Sequence, residues 1–146
     1  MINEKSKLRT FIKFKTNYSM EKYINISDIP LCWRKLYCAF RISCHNLEIE
    51  RGRYTRPRKP PEERMCKLCM SNAETECHFF IYCAHYSKLR DIMYEGVYSA
   101  DKEFLNLGHE QKFQYLMTSK NDLIVKQVMK FIYCALGLRK EKLSEI

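Results

Sequence analysis

Apolar residues recur every three or four positions over most of this chain, which is the period of an α-helix. Leu8, Phe11 and Phe14 stand three apart, so residues 5–15 read as a short helix whose polar side carries Lys5, Lys7, Arg9, Lys13 and Lys15. That basic side reads first as a solvated face. Asn17-Tyr18-Ser19 breaks it, and residues 20–24 read as one more helical turn. Ser27 or Asp28 then caps a longer helix that tolerates Pro30 in its first turn. Along it Trp33, Leu36, Tyr37, Phe40, Cys44 and Leu47 keep the spacing, and Gly52 is a stop signal. Trp33, the largest side chain, is expected to anchor the packing.

The second half repeats the pattern. Thr75 can cap a helix starting near Glu76, on which Phe79, Phe80 and Tyr82 offer packing surface. Ser87 can cap the next, with Leu89, Ile92, Met93 and Val97 on one side. Residues 101–108 read as a connection with one helical turn, and residues 110–117 as a helix through Phe113 and Leu116. Ser119 or Asn121 starts the last helix, whose apolar stripe is Ile124, Val125, Val128, Met129, Ile132, Ala135 and Leu136. Its Arg139, Lys140 and Lys142 suit the negative end of a helix dipole. Strand-like alternation is absent. The expected fold is mainly α, with a small zinc knuckle or short hairpin inserted between helices. One domain spans 1–146: helices to 52, a connector at 53–65, the knuckle at 66–86 and helices from 87.

That insertion is placed by the cysteines. Cys66, Cys69, His78 and Cys83 form a C-x2-C-x8-H-x4-C series. Two cysteines separated by two residues sit at the ends of one tight turn, so both sulfurs reach one ion, and a second element closes the site. Four soft or borderline protein donors describe a structural zinc site, one ion with no open position. The plain alternative is a set of reduced thiols in a core. On an unbroken helix His78 and Cys83 lie roughly 140° apart at about 100° per residue. They share an ion only if the helix ends or tightens before Cys83. Next in preference for the fourth ligand comes His85, on the face of His78 but about 10 Å further along a continuous helix. Cys77 comes last, pointing about 100° away. Met70-Ser71-Asn72 should turn the chain, with Asn72 suited to a left-handed backbone.

The chain has 26 Lys and Arg against 17 Asp and Glu, a net +9, which favours an anionic partner. The excess concentrates at residues 51–64, where Arg51, Arg53, Arg56, Arg58, Lys59 and Arg64 surround Tyr54 and three prolines prevent a regular helix. Guanidinium groups grip phosphates and a tyrosine stacks on an unpaired base, so these seven residues are the candidate contacts to RNA or DNA, single strands favoured. A solvated loop is the competing reading. Of the eight cysteines, Cys32, Cys38, Cys44 and Cys134 lack ligand spacing and read as small core residues. No apolar run opens the chain or reaches transmembrane length, so the expected setting is intracellular, nuclear or cytoplasmic, with reduced thiols and no membrane partner.

Taken together, Cys66-x-x-Cys69, Glu74-Thr75-x-x-His78 and Cys83 resemble the zinc-binding tail of LINE-type (non-LTR) retrotransposon reverse transcriptases. Arg41-Ile42-Ser43, Leu47-x-Ile49-Glu50-x-Gly52-Arg53-Tyr54 and Pro60 are similar to the segment preceding such tails. Tyr86-x-x-Leu89-Arg90 and Phe113-x-Tyr115-Leu116-Met117 fit downstream. Ala84 departs from it where Pro is frequent, and Cys77 is an unusual neighbour for the histidine. The resemblance covers about residues 7–140 and implies a module that helps engage template RNA or target DNA. It would be a separated tail, either an element fragment or a derived reading frame. Asp28, Asp91, Asp101 and Asp122 are dispersed, and four glycines offer no phosphate-cradling loop, so an enzyme is not expected. Two functions remain: a nucleic-acid-binding zinc module, and a zinc-stabilised scaffold that binds a protein partner.

Overall fold

A computed structural model describes residues 8–146. Among the described residues six α-helices run in order: α1 (Arg9–Phe14), α2 (Leu31–Arg41), α3 (Glu48–Arg51), α4 (Ser87–Ala100), α5 (His109–Thr118) and α6 (Asp122–Ser144). Short 3-10 turns lie at Lys22–Ile24, Pro61–Glu63, Ala84–Tyr86 and Lys102–Asn106. The fold is mainly α. The expected helix at 5–15 begins outside the described residues, and its described part ends at Phe14 as expected.

The last helix is the spine. Asn121 caps α6 by accepting from the backbone N–H of Leu123 at 3.0 Å and of Ile124 at 3.4 Å. Its stripe is buried from Ile124 to Ala135, and Phe131, missing from the expected stripe, is buried with it. α6 packs on both α2 and α4, while α5 packs on α6 and carries α1. The centre is aromatic. Phe79 stands 4.7 Å from Tyr86 and Phe80 stands 4.8 Å from Phe131, ring centre to ring centre. Phe40 of α2 meets Phe79 at 5.7 Å and Phe80 at 5.9 Å. Such pairs contribute about 0.5–1.5 kcal/mol each beyond the area they bury. The segment after Thr75 is therefore bolted to α2 and α6 at once.

Four expectations fail here. Trp33 is only half-buried, leaning on Tyr133 at 6.1 Å, and the Phe40, Phe79, Phe80 and Phe131 group does the anchoring. The long helix ending at Gly52 is two helices. Ser43 takes a left-handed backbone, φ 57°, and Cys44 N–H closes back on Ala39 C=O at 2.7 Å. A non-glycine residue there costs roughly 1–2 kcal/mol. Two bonds to buried Glu76 offset it: Ser43 Oγ donates to Oε1 at 3.1 Å, and His45 Nε2 lies 3.1 Å from the same oxygen. His45 is thus structural. Neither Ser27 nor Asp28 caps α2; Pro30 occupies the cap position, and Asp28 sits at φ 60°. Finally, Cys32 and Cys44 are exposed and Cys38 and Cys134 half-buried, so these four are not core residues.

Candidate metal centre and its basic flank

A small hairpin supplies the first two thiols. Met65 pairs with Ala73 in an isolated antiparallel bridge, flanked by Cys66 N–H to Asn72 C=O at 2.9 Å and Glu74 N–H to Arg64 C=O at 2.9 Å. Met70 N–H returns to Cys66 C=O at 2.9 Å, which folds Cys66 and Cys69 over one point. The left-handed residue of this turn is Met70, φ 56°, in place of the expected Asn72.

The second pair comes from an unusual helical turn. Thr75 caps it as expected, its Oγ1 accepting from His78 N–H at 3.0 Å. Residues His78–Tyr82 then form a π-helix. Its wider ring lets Cys83 N–H donate to His78 C=O at 2.8 Å, five residues back, so the two residues stack on one face. At Cys83 the chain turns extended, ψ 122°. The helix thus ends before Cys83, as expected, but by widening rather than tightening.

The donor atoms of Cys66, Cys69, His78 and Cys83 all lie within 4.8 Å of one another, and Cys69 Sγ is 3.3 Å from His78 Nε2. Zinc bonds of about 2.3 Å to sulfur and 2.0–2.1 Å to nitrogen place tetrahedral donors roughly 3.5–3.8 Å apart. The four donors are grouped closely enough to hold one metal ion. No disulfide competes, for all eight cysteines are free. The other two candidates lie elsewhere. Cys77 Sγ faces the Glu110 carboxylate at 3.6 Å, and His85 Nδ1 faces Lys142 Nζ at 3.1 Å.

The four groups share protons among themselves. A hydrogen bond to Cys83 and burial push the Cys66 thiol up to about 12, while that same bond holds Cys83 below the ordinary thiol range. Burial opposes ionisation of Cys69, but Ser71 outweighs it through its hydroxyl, 3.1 Å away, and its backbone N–H. Burial lowers His78, and its bonds to Cys66 and Cys69 more than reverse that. A cation replacing these protons binds thiolates and neutral imidazole, the forms a metal requires.

Beneath the cluster lies a buried ionic clamp. Glu74 Oε1 is 3.9 Å from Cys66 Sγ. Arg139 of α6 grips the same carboxylate with both arms, Nε to Oε1 at 2.7 Å and a terminal nitrogen to Oε2 at 2.8 Å. Glu48 N–H donates to Oε2 at 2.7 Å. A second arginine, Arg90 of α4, donates to Phe80 C=O at 2.9 Å within the π-helix and to Cys83 C=O at 2.7 Å just beyond it, tying that turn to α4. The expected role of Arg139 at a helix end is thus replaced by one inside the protein. A signal existed for both residues: Arg139 extends the buried stripe of Val128, Ile132 and Ala135, and Arg90 that of Met93 and Val97.

The basic connector divides into two groups. Arg56, Arg58 and Lys59 are exposed, and the ring of Tyr54 among them is 72% exposed. Arg51 is half-exposed, 3.7 Å from Glu48, while Arg53 lies mostly buried, 3.7 Å from Glu50. Arg64 does not belong to the surface set. It is 4% exposed, and its Nε and one terminal nitrogen donate to Lys59 C=O at 3.0 and 2.8 Å while the other reaches Ile49 C=O. Its chain crosses Gly52 so closely that a Cβ there would fall 2.5 Å from Arg64 Cγ, which is why the helix stops at a residue without one. Among the described residues no helix is long and apolar enough to cross a membrane. Comparison with family models, with curated proteins and with solved structures finds nothing that matches this chain.

Proposed function

We propose that this chain is a nucleic-acid-binding module whose fold is held by one structural zinc ion on Cys66, Cys69, His78 and Cys83. The observation that carries the proposal is a basic loop held at both ends. Exposed Arg56, Arg58 and Lys59 flank the exposed ring of Tyr54. Arg64 ties that loop to α3 by donating to both Lys59 C=O and Ile49 C=O, and Ile49 N–H to Glu74 C=O at 3.3 Å ties α3 to the hairpin. A loop already ordered loses less entropy on gripping a strand. Exposed guanidinium groups and an exposed ring are the two elements that sequence-tolerant binding of single strands needs. The chain has no role as an enzyme in this reading.

Kinship to the zinc-binding tails of LINE-type reverse transcriptases is part of the same proposal. Each named residue of Glu74-Thr75-x-x-His78 has a physical task here: Glu74 beside Cys66, Thr75 at the helix cap, His78 in the donor cluster.

The test is a salt titration with a labelled single-stranded RNA or DNA oligonucleotide. Replacing Arg56, Arg58 and Lys59 by Ala should flatten the dependence of log affinity on log salt by about 0.7 per lost phosphate contact. Tyr54→Ala should cost roughly 1–3 kcal/mol on single strands and much less on duplex. Affinity and salt slope unchanged in a folded, metal-loaded triple variant would sink the proposal and leave the protein-binding scaffold.

A further inference from the structure

Far from the metal centre in sequence, a cleft of about 380 Å³ opens between α1, the 15–25 loop, α2 and the α5–α6 turn. Its volume lies within the range of roughly 300–1000 Å³ common to small-molecule sites. Lys13, Lys15, Lys22, Lys120 and Arg41 line it against a single carboxylate, Glu21, with the rings of Phe14, Tyr23 and Tyr37 in the wall. Lys15 meets Glu21 at 3.0 Å, and Lys22 lies 3.6 Å from Asp122, outside the cleft.

Arg41 is the decisive residue. It is 5% exposed, yet Glu21 engages it loosely, at 3.5 Å from one terminal nitrogen. The other terminal nitrogen donates to Met117 C=O and to Tyr37 Oη, the latter at 3.3 Å. The Nε–H is buried with no hydrogen-bond partner. A buried charged donor left unpaired is costly, so such a group signals a missing acceptor. Several cations converging on a cleft, with an unspent arginine donor at its back and the half-buried ring of Tyr23 in its wall, match a phosphate attached to a flat ring system.

We propose that this cleft binds a phosphomonoester of nucleotide size, the phosphate taken by Arg41 with Lys13 and Lys120 and the base resting on the half-buried ring of Tyr23. The ligand is either a free mononucleotide or the phosphorylated end of a nucleic-acid strand. Neither alternative depends on the Tyr54 loop.

Calorimetry on the full, metal-loaded chain tests this with AMP, adenosine and a trinucleotide with and without a 5′-phosphate. AMP should bind at least tenfold tighter than adenosine. Lys13→Glu with Lys120→Glu should weaken AMP at least tenfold. Arg41→Lys, which keeps the charge but loses the Nε donor, should weaken it about tenfold; if that variant does not fold, the lysine pair decides. Replacing Arg56, Arg58 and Lys59 should leave AMP affinity unchanged. Tighter binding of the phosphorylated trinucleotide than of AMP assigns the site to strand ends, and the reverse order to free nucleotides. AMP no tighter than adenosine, no effect of the lysine reversals, or loss of AMP in the loop variant would each overturn the proposal.

Discussion

Replacing Arg139 by Met tests whether the ionic clamp, and not the hairpin alone, fixes the metal centre to the helical body. The arginine side chain is 6% exposed and makes three contacts to acids: 2.7 and 2.8 Å to Glu74, and 3.5 Å to Glu48. Met restores most of the apolar volume but leaves Glu74, 1% exposed, with its charge uncompensated. Removing one partner of a buried ion pair costs about 3–5 kcal/mol, because the remaining charge is desolvated without return. A domain of this kind has about 5–15 kcal/mol in all. Urea unfolding followed by circular dichroism in saturating zinc should therefore show a large fall in midpoint with an unchanged slope. Adding Glu74→Met should recover part of the loss, since an apolar pair is often as good as a buried ionic one. It should stop about 1–3 kcal/mol short of wild type, because Glu48 N–H then loses its acceptor. Lys22→Met, which breaks a half-exposed pair with Asp122, should change stability by less than about 1 kcal/mol. Arg139→Met falling in that same small range would refute the clamp.

Two further outcomes are expected. Cys77→Ala should retain the metal at full stoichiometry, because Cys77 faces Glu110 rather than the cluster; loss of metal there, with retention in Cys83→Ala, would exchange the two ligands. Burial and a 2.6 Å bond to Asp101 push the Tyr115 hydroxyl up to about 12 from an ordinary 10.0. The folded state therefore keeps a proton that the unfolded state releases above pH 10, so this stability is present below pH 10 and is lost as pH rises towards about 12. Thermal unfolding of Tyr115→Phe should fall less steeply than wild type across that window; parallel curves would contradict it.

How far the sequence alone reaches depends on the range of the interaction. The donor set was legible because C-x2-C and a histidine five residues before a cysteine are local patterns, and local geometry limits which can meet. The π-helix was not: nothing in His78-Phe79-Phe80-Ile81-Tyr82 distinguishes a five-residue hydrogen bond from a four-residue one. The break at Ser43 was hidden because Phe40 before it and Cys44 and Leu47 after it keep the helical period, and its cause, Glu76, lies 33 residues away. The clamp was hidden by distance too, with Arg139 and Glu74 separated by 65 residues. Charge misled at Arg64, where a run of cations looks uniform but one of them faces inward to close the loop. Composition misled at Cys32 and Cys44, where a residue type usually found inside is exposed.

The proposed structural zinc ion on Cys66, Cys69, His78 and Cys83 is open to direct measurement. Protein made in zinc-containing medium should carry one zinc per chain by elemental analysis. X-ray absorption should give three sulfur neighbours near 2.3 Å and one nitrogen near 2.0 Å. Chelation, or Cys69→Ser, should unfold at least residues 64–86, because a structural site contributes on the order of 10 kcal/mol of apparent binding energy to the fold. A chain that remains folded with no metal would contradict the account at its root.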